Sequence, residues 1–146
     1  MKQSLKQSAI SLIPLVLGCI CNTLYLKSNT AMWIVNLAYP LLWACLCYWT
    51  ADPARPLPGQ ILWLNLVSTI MLALALWVQF GAAEFLPKLL VYISQFYFLP
   101  AMVFFGRLIV PFLETASPWY FFVSEYVGLL LLSIAAVWLK KRRHKA

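Results

Sequence analysis

Residues 119–146 read WYFFVSEYVGLLLLSIAAVWLKKRRHKA, and this stretch decides the fold class. From Trp119 to Leu139 the only charge is Glu125, while Lys140, Lys141, Arg142, Arg143 and Lys145 crowd the end. An apolar run of about 20 residues is what an α-helix needs to cross the hydrocarbon of a bilayer. A cationic flank just beyond it is the mark of a cytoplasmic boundary.

Working outward, the same pattern repeats. Hydropathy gives five apolar runs, at about 9–26, 31–50, 61–80, 86–113 and 119–139, with a basic tail over 140–146. The breaks carry turn residues and charges: Lys27-Ser28-Asn29-Thr30, the proline-rich 52–59, Gly81-Ala82-Ala83-Glu84, and Glu114-Thr115-Ala116-Ser117-Pro118. Trp33, Trp49, Trp63, Trp77, Trp119 and Trp138 all fall near proposed ends, as an indole belt at the headgroups requires. Only Trp43 lies mid-span. The fourth run contains Pro100 near its middle, where a missing amide hydrogen predicts a kink.

Composition agrees. Of 146 residues, 64% are hydrophobic and 10% charged, against about 45–50% and 25% in soluble domains. That excludes an ordinary soluble enzyme domain, a disordered tail and a collagen-like fibre. The expected fold is an all-α integral membrane protein: one domain, a bundle of five transmembrane helices (alternative four, with one run re-entrant or interfacial), joined by short loops. The net charge of +7 is mostly the tail. With no basic face on a soluble element, nucleic acid is not an expected partner. The tail residues Lys140, Lys141, Arg142, Arg143 and Lys145 are a positive-inside flank, with docking on anionic lipid as the sharper alternative.

Orientation follows from loop charges. With five crossings, a cytoplasmic C-terminus puts Lys27, Lys88 and the tail inside, and Lys2, Lys6 and Arg55 outside. The expected localisation is a bacterial inner membrane with the C-terminus cytoplasmic and the N-terminus outside; four crossings would put both ends inside. Val16-Leu17-Gly18-Cys19 resembles a lipoprotein cleavage box. Lipidation at Cys19 would carry the basic tail outside as well, so the segment reads as an ordinary first span.

Chemistry-bearing residues are sparse. Cys19/Cys21 and Cys45/Cys47 form two Cys-x-Cys pairs, weak candidates for metal or thiol transfer. Residues two apart on a helix point about 200° from each other, so neither pair chelates locally. The only histidine is His144, and four acids leave no carboxylate pair for a metal or for proton transfer. Neither a catalytic site nor a cofactor is expected.

Polar residues inside the runs are the stronger signal, because each is costly in lipid. Asn36, Asn65, Ser68, Gln79 and Gln95 read as interhelical hydrogen-bonders or the lining of a wet path. Ser124, Gly128 and Ala135 form a small-residue contact face on the fifth run. Arg107 and Glu125 lie nine residues either side of Ala116, at equal depth in a helical hairpin, and are the candidate intramembrane ion pair. The expected function is an accessory, assembly or protective protein working through helix contacts with the bilayer, another membrane protein or its own copies. A small oligomeric pore or transporter component is the alternative, and a thiol or metal carrier the weaker one.

Overall fold

A computed structural model of the chain describes residues 2–25, 29–82, 88–102, 104–105 and 118–144. Among the described residues every regular element is helical, without a strand. In order these are α1 (Lys2–Ile10), α2 (Ile13–Tyr25), α3 (Asn29–Thr50), α4 (Leu57–Trp77) with a π-helical turn over Val78–Ala82, α5 (Lys88–Phe98) and α6 (Pro118–Arg143). Three stretches, Gln3–Thr23, Leu57–Phe80 and Trp119–Arg143, are long and apolar enough to cross a membrane.

Proline punctuates the chain in two ways. At helix starts it is harmless, since the first-turn amides have no intrahelical partner. Pro58 in the first turn of α4 and Pro118 at the head of α6 are of this kind. Inside a run it removes one bond of the ladder; α3 runs on through Pro40, but two other prolines divide their runs. Pro14 cannot donate to Ile10, and the helix divides at Ser11–Leu12, with Leu15 N bonding Leu12 O at 3.1 Å instead of the Ser11 carbonyl. Pro100 acts likewise: α5 stops at Phe98, and helical bonding resumes only with Phe105 N on Ala101 O at 3.0 Å.

Side-chain pairs give the directions of the helices. Between α4 and α6, Arg55 just before α4 meets Lys141, Thr69 meets Tyr126, and Phe80 meets Trp119. One number rises as the other falls, so these helices are antiparallel. Between α3 and α6, Trp43 meets Ser133 and Trp49 meets Lys140. Both numbers rise together, so these are parallel. Gln3 and Ser4 of α1 bond Thr50 and Arg55. The start of α1, the 51–56 connection and the tail of α6 therefore share one end of the bundle, here the basic end. Phe80 and Trp119 mark the far end.

This geometry sets the start of α1 and the tail of α6 at one end of the bundle, where five crossings would set them at opposite ends. The run 86–113 lies in sequence between two elements that meet at the far end. It begins six residues after α4 has reached the far end, and α6 sets out again from that same end. Phe98 packs on Phe122, Ala101 lies beside Glu125, and the Phe105 ring covers Gly128. Phe98, Ala101 and Phe105 thus lie at successive levels along α6 to about its middle, and α6 itself begins at the far end. The helix of the first run also starts earlier than 9, at Lys2, and α6 continues beyond 139 to Arg143.

The core is built on α3, α4 and α6, around Tyr39, Trp43, Cys47, Leu64, Leu129, Ala136 and Val137. Trp43, the mid-span tryptophan, is fully buried, and its indole donates to Ser133 Oγ at 3.0 Å and Leu129 O at 3.3 Å. Where α2 crosses the end of α5, Gly18 lies so close that a Cβ there would stand 1.7 Å from the Phe96 carbonyl oxygen.

Candidate functional site

Two groups of buried polar residues stand out, one at the basic end and one at mid-depth. The first is a closed hydrogen-bonded knot. Gln60, buried in the first turns of α4, reaches back to the connection that precedes it. Its Nε2 donates to Asp52 O at 2.8 Å and Arg55 O at 3.2 Å, and its Oε1 accepts from Asp52 N at 2.7 Å. Gln7 of α1 donates to the same Oε1 and to Thr50 O, both at 3.4 Å. Arg55 is held by Asp52 at 3.5 Å and donates to Ser4 Oγ at 3.1 Å. Lys140 and Lys141 donate to the carbonyls of Trp49 and Arg55. Lys6 sits 4.0 Å above the Trp49 ring, and Arg142 stands 5.3 Å from the Trp138 ring. A proline-rich connection exposes carbonyls that no helix satisfies, and side chains of α1, α4 and α6 supply the donors. The sequence reading missed this knot. Its signal was the pair Gln7 and Gln60, amides placed inside apolar stretches.

The second group surrounds Glu125. Its side chain is completely buried, and neither carboxyl oxygen has a hydrogen-bond partner among the described residues. The Ala101 backbone, just past the Pro100 break, lies beside it. Tyr39, Tyr97 and Cys21 are within electrostatic reach, and the buried Tyr39 hydroxyl is likewise unpartnered. Tyr97 donates to Ser11 O at 2.9 Å and neighbours Ser68. That carbonyl is available because the Pro14 break released it, so one local defect becomes the anchor of α5.

The remaining expected positions divide. Asn36, Asn65 and Ser68 are buried. Asn65 Nδ2 bonds Ile61 O at 3.0 Å and leaves Oδ1 unpartnered, while Ser68 bonds Asn65 O at 2.8 Å. Gln79 and Gln95 are exposed and join neither group. Ser124 is buried and Gly128 lies under Phe105, but Ala135 faces outward. Arg107, the expected partner of Glu125, lies outside the described residues, as does Lys145.

All four cysteines are free, and each pair splits as helical geometry requires: Cys21 and Cys47 buried, Cys19 and Cys45 exposed. Cys47 Sγ meets Ser133 Oγ at 3.5 Å. No group of three His, Cys, Asp or Glu side chains suited to a metal occurs among the described residues.

A third feature is apolar. Between α3 and α6 an exposed groove of about 390 Å³ is lined by Ala44, Cys45, Tyr48, Leu132, Ala135 and Leu139. No family model, curated protein or solved structure matches this chain.

Proposed function

We propose that the chain is a non-enzymatic integral protein of an inner or plasma membrane that docks a transmembrane helix of a partner protein along α3 and α6. The groove between them carries this reading. Small side chains let helix backbones approach closely, which is how helices associate where lipid is as apolar as leucine. Ala44, Cys45 and Ala135 give that surface a concave floor, and the described connections are short, leaving the helices as the means of recognition. The role is accessory or in assembly. Isolation of native complexes in mild detergent tests it: a membrane protein should co-purify, or a second copy of this chain, and Ala135→Leu should release it. Unchanged recovery from the variant defeats the reading.

The membrane arrangement that fits the bundle has four crossings, made by α1–α2, α3, α4 and α6, with 86–113 re-entrant. Lys2, Lys6, Arg55 and Lys140 to Arg143 then share one side, against Lys27 and Lys88 near the other. This asymmetry is steeper than any five-crossing count, and it puts the basic end in the cytoplasm. Reporters inserted at Pro56 and fused after Ala146 should report the same, cytoplasmic side.

A second reading, a small pore or carrier, draws on the buried, unpartnered carboxyl of Glu125 beside a helix interrupted at mid-depth. Intramembrane carboxyls commonly serve ion paths. A structural role is favoured here. Arg107 follows Phe105 by two residues in sequence, the Phe105 ring lies one turn along α6 from Glu125, and a pair of the two charges would relieve both. Flux through proteoliposomes of the purified protein, abolished by Glu125→Gln, would instead establish the pore.

A further inference from the structure

We propose that the crevice between α1 and the first turn of α4 binds the headgroup of an anionic phospholipid carrying a free hydroxyl, of the phosphatidylglycerol type. The inference rests on the membrane reading above, which sets the basic end at the lipid–water boundary.

The crevice encloses about 270 Å³ and is lined by Gln7, Arg55, Pro56, Gly59, Gln60 and Trp63. Its charge suits an anion. Arg55 is part-exposed, and its one acidic neighbour, Asp52, is engaged by Arg55 Nε through one oxygen and by Ala54 N through the other. Lys6 and Lys141 stand close by on α1 and α6, anchored to Trp49 and to the Arg55 carbonyl. The crevice also meets the start of α4. Pro56 there is extended and offers no side-chain cap, so first-turn amides and the positive end of the helix dipole face outward.

An independent observation names the second half of the ligand. Gln7 is completely buried and both its hydrogen bonds use Nε2; Oε1 has no partner among the described residues. A buried acceptor left open is costly, and a donor from the occupant would satisfy it. Phosphate has acceptors only. A glycerol headgroup supplies phosphate oxygens for Arg55 and a hydroxyl for Gln7. A zwitterionic choline headgroup supplies no donor and cancels its own charge. The flanks suit acyl chains: Leu5 of α1 and Leu62 of α4 are exposed, and Trp63 is an interfacial residue on the rim. Room is also evident at Gly59, where a Cβ would meet nothing within 4 Å.

Native mass spectrometry of the full chain, released from bilayers of mixed phosphatidylglycerol and phosphatidylcholine, tests the proposal. The wild type should retain one phosphatidylglycerol in preference to phosphatidylcholine. Gly59→Leu fills the crevice from open space, and Arg55→Gln removes the phosphate contact; each should reduce retention by about tenfold or more, the worth of one charge-assisted contact. Arg142→Gln with Arg143→Gln, on the exposed tail, should leave retention unchanged. Loss through the tail pair alone, or equal retention of both lipids, overturns the site. So does displacement by millimolar glycerol phosphate, which would make the ligand a free phosphate ester. A chain that floats with vesicles after alkaline extraction yet shows no selectivity refutes the lipid site alone. A chain that fails to float refutes the membrane reading itself.

Discussion

The two polar groups of this bundle are built from similar residues and end in opposite states. At the basic end, Gln60, Gln7, Arg55 and the backbone of 50–55 satisfy one another almost completely. At mid-depth, Glu125, Tyr39 and Asn65 are equally buried, yet each carries an atom without a partner among the described residues. The difference is one of backbone. The basic-end knot surrounds a non-helical connection whose amides and carbonyls are free to pair with side chains. Around Glu125 most flanking backbone groups are spent within helices, and the freed Ser11 carbonyl is taken by Tyr97. The first group is therefore closed except at Gln7 Oε1, and the second leaves an atom open on each of Glu125, Tyr39 and Asn65.

Breaking the open group should cost most. On the proposed pairing of Arg107 with Glu125, either Arg107→Gln or Glu125→Gln should lower unfolding stability in detergent by about 3–5 kcal/mol, the cost of stranding one member of a buried pair. The exchange Arg107→Glu with Glu125→Arg should recover much of the loss; a double variant no better than the worse single removes the pairing. The closed group should yield next. Gln60→Leu strands the amide and carbonyl of Asp52, takes one of two donors from the Arg55 carbonyl and removes an acceptor from Gln7, and at about 1 kcal/mol for each unmade bond the loss should be about 2–4 kcal/mol. Protease sensitivity should rise between Thr50 and Leu57 while the Glu125 region keeps its protection.

Smaller effects sharpen the contrast at the joints between the groups. Gly18→Ala drives a methyl group into the Phe96 carbonyl, backbone that cannot step aside, and should cost about 1–3 kcal/mol as overpacking does. A loss confined to α5, seen as faster hydrogen exchange over 88–98, would show that the half-helix opens apart from the α3–α4–α6 core. Trp43→Phe removes the indole bonds to Ser133 and Leu129 O and should cost about 1 kcal/mol. An effect near that of Gln60→Leu would mean that the core, not the basic-end knot, dominates stability.

The candidate site was legible only in pieces. Glu125 announced itself as the one charge in its run, and its complete burial follows from that run's position against α3 and α4. Ser68 and Asn65 were visible as polar interruptions. Gln79 and Gln95, the same kind of signal, face outward. Nothing in a one-dimensional pattern separates these cases, because a uniformly apolar helix lacks the polar stripe that reveals which side is inside.

By itself the sequence determined that the chain is helical and apolar enough for a membrane. It also marked the breaks, at Pro100 and at 52–59, because backbone hydrogen bonding and transfer free energy are local properties of residues. Only the tertiary structure decided that both basic segments meet at one end, that Gln7 closes on Gln60, and where α5 is anchored. Where a half-helix is anchored depends on which neighbour offers a freed backbone group. Here that neighbour is Ser11, freed by Pro14 and met by Tyr97 from 86 residues away. A contact between two such distant defects leaves no trace in the composition or periodicity of either.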